Sequence, residues 1–260
     1  MHKFKILLLT LIGVALVIGA IYMMQPKRSI VEDIPELENA SAPVPDFSRF
    51  SQVTEKKQAF FNYLKPAVIA QNEYILSVRQ LIQGLRAKQI SGEQLSASQQ
   101  DEINWLLKEY RVDANQSSEQ IYEELLRKVD IIPAELVLVQ SANESAWGTS
   151  RFAKNGYNFF GLWCFKKGCG FVPKRRNDDA AHEVAKFDDL SRAMYVYMRN
   201  LNRHPAYKEL RLIRQQQRNN QKAITANALA GGLLKYSERG EEYVKELRQM
   251  IRINKDLISS

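Results

Sequence analysis

Apolar residues recur three and four apart between Thr54 and Gln89. Phe60, Phe61, Leu64, Val68, Ile75, Val78, Leu81, Ile82 and Leu85 fall on one helical stripe. Pro66 sits inside that stripe, removes a backbone donor, and predicts a kink or a break. Ser91-Gly92 ends the segment. Ser96 to Gln99 and Ser117 to Gln120 both have the Ser-x-x-Gln form of a capping box. The first precedes Ile103, Leu106, Leu107 and Tyr110, and the second Ile121, Leu125, Leu126 and Val129. Two further helices are therefore expected.

The next helix differs. Pro133 suits a first helical position and Glu135 the first turn. Leu136-Val137-Leu138-Val139 then offers no polar face, so this helix is expected at the centre of its domain. From 161 to 187 the texture changes to glycines, cysteines and short β-prone pieces, which predicts two or three strands in a small hairpin lobe. Helix returns at Asp189 and restarts at Pro205. "TANALAGGLLKYS" and "GEEYVKELRQMIRIN" supply the last two helices. The expected class is mainly α, with a small β lobe.

The N-terminus bears on compartment. Lys3 and Lys5 precede Ile6 to Met24, 19 residues without charge. That is close to the ~20 residues a helix needs to cross a bilayer. An uncleaved anchor in the inner membrane is the favoured reading. Cleavage near Ile18-Gly19-Ala20 is the other, and both place the rest of the chain outside the cytoplasm. Residues 25–50 hold four of the eight prolines and read as a linker. Residues 51–115 form a helical region of unassigned role, and 116–258 the functional domain.

The net charge of +8 favours anionic polymers or lipid surfaces. Lys166-Lys167 and Lys174-Arg175-Arg176 are modest clusters without interleaved aromatic rings. Nucleic acid is accordingly not the expected partner. The two cysteines, Cys164 and Cys169, stand five apart with Gly168 between them. In an oxidising compartment they can close a small loop as a disulfide, with two buried thiols as the alternative. The three histidines show no metal-binding spacing, so no metal and no cofactor are expected.

Candidate chemistry concentrates in "SANESAWGTSRFAKNGYNFFGLWC". Glu144 lies about three turns along the dry helix. Partial burial raises a carboxyl pKa, and the negative helix C-terminus pushes the same way. A carboxyl still protonated near neutrality can act as the general acid of a glycosidase. Trp147, Tyr157, Phe159, Phe160 and Trp163 offer faces for sugar rings. Phe159 also suits the core. Asn143, Ser145 and Asn158 can bond hydroxyl or acetamido groups, and Asn158 can equally hold its turn.

This stretch resembles the signature of the bacterial glucosaminidase domain, glycoside hydrolase family 73. The matching residues are Glu144, Ser145, Trp147, Gly148, Ser150, Asn158, Phe160 and Gly161. The exported arrangement, the helical preface and "CFKKGCG" look most like the Bax-type proteins. The resemblance implies a lysozyme-like α+β fold. It implies cleavage of the N-acetylglucosaminyl β-1,4 bond in peptidoglycan strands, with Glu144 as acid. It also implies a site tyrosine in "YSERGEEY", which offers Tyr236 as the site candidate and Tyr243 as packing. Members often carry a glutamate in the hairpin lobe. Asp178, Asp179 and Glu183 stand there, and Glu183 leads because "HEVAKF" reads as a strand. The substrate N-acetyl group could replace a second carboxylate. A lytic transglycosylase and a non-catalytic wall-binding protein are the rival readings. The oligomeric state is not legible.

Overall fold

The computed structural model describes residues 29–173 and 182–259. The apolar run 6–24, Lys174-Arg175-Arg176, Asp178 and Asp179 lie outside them. Among the described residues no helix is long and apolar enough to cross a membrane. The chain divides into Met1–Asp33 and Ile34–Ser260. In the first unit, Glu32 N donates to Ser29 O at 3.0 Å to close a turn.

The second unit is mainly helical with one small antiparallel sheet, in keeping with an α+β arrangement. Its helices are α1 (Val53–Ile90), α2 (Ala97–Tyr110), α3 (Ser118–Lys128), α4 (Ala134–Glu144) and α5 (Arg151–Gly156). Strands β1 (Trp163–Cys164), β2 (Gly170–Phe171) and β3 (Glu183–Ala185) follow. The chain ends with α6 (Leu190–Arg203), α7 (Lys208–Asn219), α8 (Ala226–Ala230), α9 (Glu241–Ile253) and α10 (Lys255–Ser259).

Helix α1 runs unbroken through Pro66. A mid-helix proline costs about 3 kcal/mol. Leu64 and Val68, on either side, are fully buried, and each such side chain returns about 1.5–3 kcal/mol. Packing therefore holds the helix together where local propensity would break it. The same face packs on α3, α4 and α6. Both predicted capping boxes form, at Ser96–Gln99 and Ser117–Gln120.

Helix α4 occupies the centre, with Leu136, Val137, Leu138 and Val139 at 0 % exposure. Pro133 is its N-cap, so the helix begins one residue later than expected. Arg214 of α7, also buried, fixes the turn that leads into it. Its guanidinium donates to the carbonyls of Arg127, Lys128, Asp130 and Ile131 and to Asn202 Oδ1. Asp130 in the same turn accepts two bonds from Arg218, at 2.7 and 2.9 Å.

Residues 34–50, expected within a linker, lie against the domain. Ala40 O accepts from Leu190 N, and Leu37 N donates to Ser191 Oγ. Phe47 is fully buried, with its ring edge-on to Phe60. The sheet has the order β1-β3-β2, with Cys164 opposite Glu183 and Gly170 opposite Ala185. Gly170 has no alternative residue. A Cβ there would lie 1.9 Å from Val184 O.

Candidate active site

Glu144 is the last residue of α4. Helix α4 stops there because the chain turns sharply: Ala146, Trp147 and Gly148 all have positive φ, at 50°, 59° and 74°. Only Gly148 adopts this without strain. The turn is held from inside. The buried Ser145 hydroxyl donates to Ser141 O at 2.5 Å and accepts from Gly148 N at 2.8 Å. A Cβ on Gly148 would strike the Phe47 ring at 2.5 Å. Ser150 then caps α5, accepting from Ala153 N. Much of the signature therefore builds the turn that terminates a dry helix at a carboxylate.

That carboxylate is gripped on one side. Tyr197 donates to Gln140 Oε1 at 2.6 Å, Gln140 Nε2 donates to the Tyr243 hydroxyl at 3.0 Å, and Tyr243 donates to Glu144 Oε1 at 2.7 Å. Every donor in this chain points the same way, so the Tyr243 proton is committed to Glu144. Gln140 precedes Glu144 by four, which puts both on one face of α4. The other oxygen, Oε2, faces Gly161. A Cβ there would lie 3.4 Å away, and φ is +63°.

Burial pushes the Glu144 carboxyl above its ordinary value. The Tyr243 hydroxyl and Arg239 oppose the push, and Glu246 adds to it. Burial and the nearby Glu144 charge raise the Tyr243 hydroxyl and push that of Tyr207 up to about 12. Both phenols stay protonated at neutral pH.

Glu144 opens into a cleft of about 830 Å³. Trp163 and Phe165, 49 % and 83 % exposed, line it with Tyr207 and Tyr236. Tyr236 stacks on Tyr243 and donates to Phe160 O at 2.7 Å. Among the described residues, Glu144 is the only acid on the cleft wall.

The other expected site residues go elsewhere. Trp147 packs on Phe60 and Phe61 of α1, with Lys57 Nζ 5.1 Å from its ring centre. Tyr157 donates to the carbonyls of Ser41 and Ala42. Asn158 is buried and saturated. Its amide donates to Leu162 O and Ala185 O, and its carbonyl accepts from the amides of Phe160 and Leu162. Phe160 is buried and stacked on Tyr197 at 3.9 Å.

Cys164 and Cys169 form a disulfide with Cα atoms 6.2 Å apart. Glu183 sits beneath it. Its two carboxylate oxygens accept from Gly168 N at 2.9 Å and Gly170 N at 2.8 Å. Cys164, Cys169 and Glu183 are close enough to share a metal, but the sulfur atoms are bonded to each other, which is incompatible with thiolate ligation.

The glucosaminidase family, described as mannosyl-glycoprotein endo-beta-N-acetylglucosaminidase, matches residues 119–256. The chain belongs to the glucosaminidase family. It is similar to Protein bax of Escherichia coli (strain K12), at 33 % identity over 221 residues, covering 85 % of this chain and 77 % of that protein. No solved structure matches. A Bax-type glucosaminidase-domain protein is therefore the right description of the chain. Its family-matched span contains Glu144, Tyr236, Tyr243 and the hairpin lobe.

The contact that sequence reasoning missed is that of Tyr243 with Glu144. The signal was present: two tyrosines seven apart on the way into α9. Which of them reaches the carboxylate depends on how α9 packs against α4.

Proposed function

We propose that this glucosaminidase-family protein is a peptidoglycan hydrolase cleaving the N-acetylglucosaminyl β-1,4 bond, with Glu144 as general acid. The supporting observation is a carboxyl of raised pKa at the edge of an aromatic cleft, with one oxygen fixed by Tyr243 and the other open over Gly161. Trp163, Phe165, Tyr207 and Tyr236 supply faces for sugar rings. Trp147, Tyr157, Asn158 and Phe160 act as the frame that places Glu144 and Tyr236.

A substrate-assisted route suits a wall with one described acid. Glu144 gives its proton to the glycosidic oxygen as the bond from C1 to that oxygen breaks. The acetamido oxygen of the same sugar bonds to C1. Water then opens the resulting ring, and the Glu144 carboxylate takes the proton from that water. Glu183, expected as a second catalytic carboxylate, acts here through its bonds to Gly168 and Gly170, holding the lobe that carries Trp163. Export by residues 6–24 would place the enzyme at its substrate.

The test is mass spectrometry of fragments released from purified peptidoglycan, with Glu144→Gln as control. New reducing N-acetylglucosamine ends, absent with the variant, are expected. Anhydro-muramic ends would instead identify a lytic transglycosylase. Full activity of a folded Glu144→Gln protein would sink the assignment.

A further inference from the structure

The cleft is strongly biased in charge. Arg111, Lys186, Arg199 and Arg203 line it, against Glu144 as the one acid among its described residues. Arg111 and Arg203 lie near His204, four contacts along from Glu144. A run of ring contacts marks the direction: Tyr243 bonds Glu144, Tyr236 stacks on Tyr243, Tyr207 packs on Tyr236, and His204 packs on Tyr207. His204 in turn lies within the fields of Arg111, Arg203 and Arg211. Burial first, and then those cations, hold its imidazole below the ordinary value.

The arginines are not equivalent. Arg199 is paired with Glu109 at 2.8 Å. Arg203 Nη1 donates to Glu109 O at 2.8 Å and lies 3.7 Å from the Glu109 carboxylate. One carboxylate thus serves two guanidiniums. Arg111 is the C-cap of α2, exposed, and its side chain makes no hydrogen bond or ion pair with any described residue. It stands among like charges and faces the groove. Clustered guanidiniums of like charge on a groove wall favour an anion between them.

Resting on the hydrolase reading above, we propose that this arginine-lined end is a subsite for a carboxylate carried by the glycan strand, with Arg111 as its specificity-determining residue. Two sources share that chemistry: the lactyl ether carboxyl of a peptide-free strand, and the carboxylates of an attached peptide. A chitin-like oligomer offers neither. Arg111 precedes the family-matched span, so the helical region before that span completes the substrate groove. This gives residues 51–115 a part in recognition.

The experiment uses the full chain and three substrates: neutral N-acetylglucosamine oligomers, peptide-free glycan strands, and peptide-bearing strands. Arg111→Glu should lower the ratio of kcat/KM on carboxylate-bearing strands to that on neutral oligomers by about tenfold, mostly through KM. Arg111→Lys should retain most of the ratio. Arg252→Glu makes the same charge change on an exposed position outside the cleft and should leave the ratio alone. A loss confined to peptide-free strands assigns the lactyl carboxyl, a loss confined to peptide-bearing strands assigns the peptide, and a loss on both shows that either carboxylate fills the subsite. An unchanged ratio in Arg111→Glu, or an equal fall in Arg252→Glu, overturns the subsite. Direct binding of strands to Glu144→Gln, with and without Arg111→Glu, reads the subsite without turnover. If the wild type cuts nothing but Arg111→Glu weakens binding, the hydrolase reading fails and the subsite stands. Equal binding by both proteins overturns the subsite.

Discussion

Tyr243 donates its hydroxyl proton to Glu144 Oε1 at 2.7 Å, across 99 residues of sequence. This bond favours the ionised carboxylate and so works against the burial that raises its pKa. Removing it with Tyr243→Phe should raise the Glu144 pKa further. Activity that needs the protonated acid is present below that pKa and lost as pH rises through it. The alkaline limb of the kcat profile should therefore move to higher pH. The carboxylate left after proton transfer also loses its donor, worth about 1.5–3 kcal/mol, so kcat should fall about 10- to 100-fold. An unmoved alkaline limb would separate Tyr243 from the chemistry.

Glu144→Gln should abolish at least about a thousandfold of activity, the share typical of general acid catalysis. It should also be more stable than the wild type at neutral pH. The folded pKa lies above the unfolded one, so ionising Glu144 is harder in the fold. That penalty is absent below the unfolded value, grows as pH rises from there to the folded value, and is then constant. Glutamine never incurs it and still accepts from Tyr243. The gain should be present at pH 7 and vanish near pH 4, read from thermal melts at the two pH values.

Gly161→Ala should damage both stability and rate. Its φ of +63° strains any Cβ, and that carbon would sit against Glu144 Oε2 at 3.4 Å. A loss of about 1 kcal/mol in stability is expected from the backbone alone. The stronger readout is kcat, because the added methyl occupies the side from which a glycosidic oxygen would approach.

Replacing Cys164 and Cys169 by serine opens a short loop and should cost about 2 kcal/mol. Glu183 would keep its bonds to Gly168 and Gly170, so the lobe should loosen rather than detach. Chemical denaturation measures the cost. A rise in KM, with kcat less affected, would trace it to Trp163 and Phe165 at the cleft.

Local features were legible in the sequence. The caps at Ser96 and Ser117 depend on four consecutive residues, and the dry helix α4 on its own composition. The break that Pro66 could have caused is absent because its cost is local while the compensation comes from three other helices. Within the signature, sequence shows what a side chain can do but not where it points. Three left-handed residues after Glu144 swing Trp147 onto α1, and Tyr157 turns toward residues 41–42. Asn158 shows the same limit, since four neighbouring backbone groups consume every bond it could offer a sugar.

The first long helix finds its last partners at the far end of the chain. Lys57 bonds Asn254 Oδ1, Gln58 bonds Leu257 O, and Lys65 bonds Ile258 O, over 193 to 199 residues. A helix can form early, but these contacts cannot exist until residues 254–258 have left the ribosome. Loop closure over such distances is slow. The fold is therefore completed only once residues 254–258 are available, and until then the apolar face of α1 lacks these distant partners.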